Sequence, residues 1–207
     1  LDLACIDLLV ANARTLPHDQ FLSVNVSPPT IEAPEFGVGS LLAVLRRHGM
    51  PPERLIVELT EHASVRDMPL LRSKLEACQR AGIRVAADDL GAGNAGLRLL
   101  SELRFDVLKV DVNLVQRSAP GALSSAIVSS VVDLAARTEA LVIAEGIEDE
   151  TQLARVTALR VAAGQGYLLG HPGALQAGGQ RPLDAAPAPS PLADWREAIG
   201  LPTSALV

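Results

Sequence analysis

Cysteine, lysine and long apolar runs are scarce in this sequence, and each scarcity excludes something. The 207 residues include two cysteines, Cys5 and Cys78, too few for a disulfide scaffold. Both sit among apolar neighbours and read as small buried hydrophobes. No apolar run approaches the ~18 residues that cross a bilayer, which argues against a transmembrane helix. No signal-peptide pattern is present, so the expected compartment is the cytoplasm. Acidic residues outnumber basic ones, 24 to 18, for a net charge of −6. That balance argues against a general nucleic-acid binder, whose footprint is basic. Only Lys74 and Lys109 of the 18 basic residues are lysine, so a lysine inside a strand needs a reason. At 48% hydrophobic and 20% charged, the composition is that of an ordinary globular domain. The first residue is Leu1, already inside an apolar-periodic segment, so the chain is expected to lack an N-terminal part of its domain.

What is present alternates. Runs at 20–26, 55–60, 83–88, 107–111, 141–145 and 161–165 read as strands. Helix-period segments lie at 3–16, 39–48, 68–81, 96–103, 119–137 and 149–159, with Asp67, Ser118 and Asp149 as expected N-caps. Strand followed by helix, repeated, means parallel strands with crossover helices. The repeat is about 28 residues, close to the ~30 per unit of a (β/α)8 barrel. A doubly wound open sheet would show a glycine-rich loop after an early strand. Ser27-Pro28-Pro29 stands there instead. The expected fold is therefore an α/β, TIM-like barrel over residues 1–173 with six β/α units visible and its first strands lacking. Residues 174–207, rich in Ala and Pro, are expected to be a largely disordered tail with a short helix at 191–199 anchored by Trp195.

Strand parity places the chemistry. One face of the six runs is wholly apolar, from Val24 and Val57 to Val110 and Ala144. The other carries Asn25, Glu58, Asp88, Lys109, Glu145 and Gln165, each near the C-terminal end of its strand, with Asp89 and Asp111 at strand exits. Taken singly, Asp89 and Asn25 could be turn formers, and Glu58 and Glu61 could cap a following helix. Taken together, they converge on one barrel mouth, where such folds place their sites. Carboxylates with an amide and no histidine suit Mg²⁺ or Mn²⁺, and neighbouring aspartates suit a two-metal hydrolytic site. Lys109 is a candidate to orient or deprotonate a water, or to steady a phosphate oxygen.

The strings V-N-V-S-P at 24–28, E-L-T-E at 58–61, A-D-D-L-G-A-G at 87–93, L-K-V-D at 108–111, A-E-G-I-E at 144–148 and Q-G-Y-L-L-G-H-P at 165–172 resemble the EAL-domain family. The resemblance implies hydrolysis of cyclic di-GMP to linear pGpG in bacterial signalling, with two Mg²⁺ or Mn²⁺ ions at the mouth. It implies Asn25, Glu58, Asp88 and Asp89 as metal ligands, and Lys109 and Glu145 as catalytic residues. Gln165 and Asp111 would position substrate or water, and Glu61 would support the loop after Asp89. It further implies a homodimer through the barrel and an upstream sensory or GGDEF-type domain. The Glu-Ala-Leu strand that names the family is not in this chain, so the chain alone is expected to be inactive. Leu90, Ala92, Ala95 and Gly96 stand where the family shows a Phe, a Thr and paired serines. Two other readings remain. One is a non-catalytic cyclic di-GMP sensor or partner-binding module; the other is a different metal-dependent barrel with Lys109 as a base.

Overall fold

The structure is a computed structural model, and it describes residues 2–17, 20–60, 65–92 and 96–173. Six parallel strands form one sheet in sequential order, β1 (Leu22–Val26), β2 (Leu55–Thr60), β3 (Arg84–Leu90), β4 (Val107–Val110), β5 (Leu141–Ala144) and β6 (Ala163–Gly164). Helices α1 (Asp2–Asn12), α2 (Pro28–Glu32), α3 (Val38–His48), α4 (Met68–Arg80), α5 (Gly96–Glu102), α6 (Val112–Gln116), α7 (Leu123–Thr138) and α8 (Glu150–Ala158) connect or precede them. Sequential parallel order with helical crossovers is the topology of a TIM-like barrel wall. Among the described residues, no helix is long and apolar enough to cross a membrane.

The two faces of the sheet separate as parity predicts. Val24, Val57, Leu59, Val85, Leu108, Val110, Val142 and Ala144 join the large core beneath the helices. The opposite face carries its own small apolar layer of Ile56, Ala86, Val107, Ile143 and Ala163. Each of these lies two residues before a polar candidate, Glu58, Asp88, Lys109, Glu145 or Gln165. The polar side chains therefore stand one step above a dry floor, towards the C-terminal ends of the strands.

Several local expectations are corrected. The strand expected at 161–165 is only Ala163–Gly164, because the Val161 N–H bonds back to α8 at Val156. The long helix starts at Leu123, not at 119. Its cap position is Ala122, and the hydroxyl of Ser118 instead donates to the Val115 carbonyl at 2.6 Å. Two short helices were not expected. α2 begins at Pro28, whose fixed φ suits a first helical turn, and α6 is capped by Asp111. Asp67 and Asp149 do cap α4 and α8 through Leu70 N–H and Gln152 N–H. The tail at 174–207 lies outside the described residues.

Cysteine burial is also corrected for one of the pair. Cys78 is buried in α4, but Cys5 is exposed because it lies off the Ile6–Val10–Ala13 stripe that packs inward. Burial pushes the Cys78 thiol up to about 11, so at pH 8 almost none of it is thiolate. A thiol-directed maleimide at pH 8 is expected to modify Cys5 first and leave Cys78 unmodified until denaturant is added. Peptide mapping checks this, and equal labelling rates in the folded protein would contradict it.

Candidate metal and phosphodiester site

Lys109 is the centre of the polar layer. It stands on β4 with its side chain only 7% exposed. Its Nζ donates to Glu58 Oε2 at 3.0 Å and to Asp88 Oδ1 at 2.7 Å, and lies 2.9 Å from Glu145 Oε1. At the far ends, Ser23 donates its hydroxyl to Glu58 Oε1, and Gln165 Nε2 donates to Glu145 Oε1 at 2.8 Å. The network thus runs from β1 to the residue after β6. Burial works against the Lys109 charge, but the three carboxylates outweigh it and hold the ammonium above the usual lysine range. Lys109 thus stands as a charged donor shared by three carboxylates.

Asp88 and Asp89 reach the mouth together through a backbone device. The β3–β4 pairing is regular to Ala87–Leu108, then resumes at Leu90–Val110, so Asp88 and Asp89 stand opposite Lys109 alone. This is a β-bulge, and Asp89 has φ +58, in the left-handed region. In a regular strand, consecutive side chains point to opposite faces. Here Asp88, Asp89 and Glu145 each offer a carboxylate oxygen within 4.8 Å of one another. Asp89 is therefore not merely a turn former after the strand; it lies within β3.

The remaining candidates fall as follows. Glu58 is buried and committed to Lys109 and Ser23. Asn25 is exposed and pairs across from Glu58 in the β1–β2 register. Asp111 is buried, and its carboxylate accepts from Asn113 N–H and Nδ2 at 2.9 and 3.0 Å, which fixes the start of α6. Glu61 lies outside the described residues, as do His18 and His62. His48 pairs with Asp7 at 2.8 Å, and His171 stacks on Tyr167, so neither joins the carboxylates. Ser23 was not among the expected residues, although it shares the parity of Asn25. A groove of about 500 Å³, lined by Leu100, Leu103, Phe105 and Leu134 among others, contains none of the candidate site residues.

The donor set suits a hard cation. Glu58, Asp88 and Glu145 all lean on the one ammonium, so acidic groups outnumber it three to one. The Glu145 carboxyl is pushed above its usual range by burial, with Asp88 and Asp89 adding to the rise and Lys109 opposing it. Crowded, partly buried carboxylates of this kind call for positive charge. Their all-oxygen chemistry and mutual spacing fit a hard divalent cation.

Fold and site together define a TIM-like barrel with an acidic, lysine-centred mouth. Residues 1–172 match the EAL domain, and the chain belongs to that family. PdeA of Escherichia coli K12, named as a probable cyclic di-GMP phosphodiesterase, is 31% identical over 174 residues, covering 83% of this chain and 24% of PdeA. Klebsiella pneumoniae BlrP1, solved as a calcium and cyclic di-GMP complex, superposes with a TM-score of 0.74 at 32% identity, covering 81% of this chain and 43% of that one. The Pseudomonas MucR phosphodiesterase, solved with cyclic di-GMP, gives a TM-score of 0.72 at 32% identity, covering 82% and 75%. The chain spans about a quarter of the length of the curated relatives it matches.

Proposed function

We propose that this chain carries most of the active site of a cyclic di-GMP phosphodiesterase. The observation that carries the reading is the bulge. It sets two adjacent carboxylates beside Glu145 at the mouth, where Lys109 gathers Glu58, Asp88 and Glu145. Asp88, Asp89, Glu58 and Asn25 would hold two Mg²⁺ or Mn²⁺ ions, which supply Lewis acidity towards the phosphodiester and its attacking water. In the reaction, water oxygen bonds to one phosphorus, the bond to a ribose 3′ oxygen breaks, and that oxygen takes up a proton. Linear pGpG results. Glu145, whose carboxylate lies beside those of Asp88 and Asp89 at the mouth, accepts a proton from the water. Lys109 stays charged and steadies the negative charge that develops on phosphorus. Gln165 fixes the Glu145 carboxylate through its 2.8 Å hydrogen bond. Asp111 acts at one remove, by capping the helix that follows β4.

We further propose that the domain works in the cytoplasm as a homodimer joined to a sensory or GGDEF-type domain. Among the described residues the sheet has six strands, fewer than the eight that wrap a (β/α)8 barrel, and Ser23 and Asn25 are exposed on β1. The 207-residue chain by itself is expected to form no pGpG. A closed-barrel version, with the segment that precedes the matched region of PdeA placed ahead of Leu1, is expected to form it with Mn²⁺. Mass spectrometry of the products tests both, and pGpG from the short chain would contradict the first expectation. A second reading is favoured by Leu90 at the end of β3 and Ala92 just beyond it, which lack the hydroxyls and aromatic ring of the family pattern. On that reading the domain binds cyclic di-GMP without cleaving it. Calorimetric binding by the closed-barrel version with no pGpG after long incubation would establish the sensor and overturn the enzyme.

A further inference from the structure

Helix α6 stands between the two segments that bear the carboxylates, the end of β3 and the residues after β5. On one side, Gly91 follows Asp88 and Asp89 with φ +102, and a methyl group there would overlap the Leu114 side chain. On the other, Gly146 follows Glu145 with φ +68, and a methyl group there would overlap Val112. Two backbone hydrogen bonds tie the same three segments, Asp111 N–H to Leu90 O at 3.2 Å and Glu145 N–H to Val110 O at 3.1 Å. The Asp111 cap fixes where α6 begins. Both glycines have conformations that side chains rarely adopt, and both let a neighbouring backbone close onto an α6 side chain.

We propose that Leu114 and Val112 are positioning residues, a spacer that sets the separation between the Asp88–Asp89 pair and Glu145. Neither side chain touches the reacting atoms. Each acts through a glycine next to, or two residues from, a carboxylate. The spacing matters because Glu145 faces the cations that the Asp88–Asp89 pair would hold, its carboxylate oxygen within 4.8 Å of theirs, so those cations feel any shift of one segment against the other. Loss of supporting contacts of this kind typically weakens metal affinity ~10- to 100-fold. The proposal rests on the cation-binding reading above.

Mn²⁺ titration of the full 207-residue chain, read by electron paramagnetic resonance of the free ion, tests it. Leu114→Ala is expected to weaken Mn²⁺ binding by about 10-fold. Leu114→Met, which conserves volume, is expected to bind as the unaltered chain does. Leu75→Ala, a buried cut in α4, is expected to lower thermal stability without changing Mn²⁺ affinity. Leu114→Val is the milder cut if circular dichroism shows that Leu114→Ala does not fold. Unchanged affinity in the folded Leu114→Ala or Leu114→Val chain overturns the spacer and leaves the proposed function standing. Equal weakening by Leu75→Ala also overturns it, since the effect would then be general loosening. An unaltered chain that takes up no Mn²⁺, or takes it up equally after Asp88→Asn, overturns the spacer together with the metal site.

Discussion

Replacing Asp88 with asparagine is expected to leave the closed-barrel version folded and to cut its Mn²⁺-dependent turnover by at least ~10²–10³-fold. The side chain keeps its shape and one oxygen, so the 2.7 Å contact from Lys109 Nζ to Oδ1 can persist as an ordinary hydrogen bond. What disappears is one negative charge from a group of three oxygens that lie within 4.8 Å of one another. Because Asp88 is the member of the adjacent pair that also meets Lys109, its loss affects both the cation and the ammonium. The decisive measurement is product formation as Mn²⁺ is raised. If millimolar Mn²⁺ restores the original rate, Asp88 contributes only affinity. If turnover is unchanged at any concentration, Asp88 is not in the site.

Lys109→Met is expected to separate chemistry from binding. Methionine keeps much of the stem and deletes the charge. Turnover should fall ~10²–10³-fold, the usual cost of one electrostatic contact to a developing charge. Cyclic di-GMP affinity should be nearly unchanged, because the cations would already neutralise the ground-state phosphate. Without metal, the same substitution leaves Glu58, Asp88 and Glu145 without their shared partner in a buried setting. Breaking one side of a buried pair costs about 3–5 kcal/mol. The melting temperature of the metal-free variant should therefore drop by several degrees, and added Mn²⁺ should recover much of the difference. A large loss of nucleotide affinity with normal turnover would make Lys109 a binding residue.

Strand parity makes much of the candidate site legible in the sequence, because a parallel sheet covered by helices must keep one face apolar. Polar groups repeated on the other face, always at the same end of the strands, then mark a shared site. Lys109 was the clearest signal, and both lysines of this arginine-rich chain turn out to serve as compact point charges. Lys74 donates to the carbonyls of Ala33 and Phe36 at 2.5 and 2.8 Å, while Lys109 gathers three carboxylates. The bulge was not legible, since Asp-Asp-Leu-Gly is equally good as a strand end and a turn. Only the pairing with β4 shows which it is. Ser23 was missed because a serine in a strand is commonplace until its partner, Glu58 on the next strand, is known. α2 was hidden by Ser27-Pro28-Pro29, which reads as a breaker but serves as a helix start.

The bulge also bears on how readily such a site can change its inventory over generations. Ala87 pairs with Leu108 before it, and Leu90 with Val110 after it. Removing the single codon for Asp89 would leave Asp88 opposite Lys109 and the flanking pairs where they are. The strand would become regular, the core on both sides would keep its register, and the mouth would lose one carboxylate. One in-frame deletion thus separates a mouth with the adjacent aspartate pair from a mouth with a single aspartate on the same scaffold. On the proposed function, that short mutational distance would be a direct route to a mouth that binds the nucleotide with fewer cations.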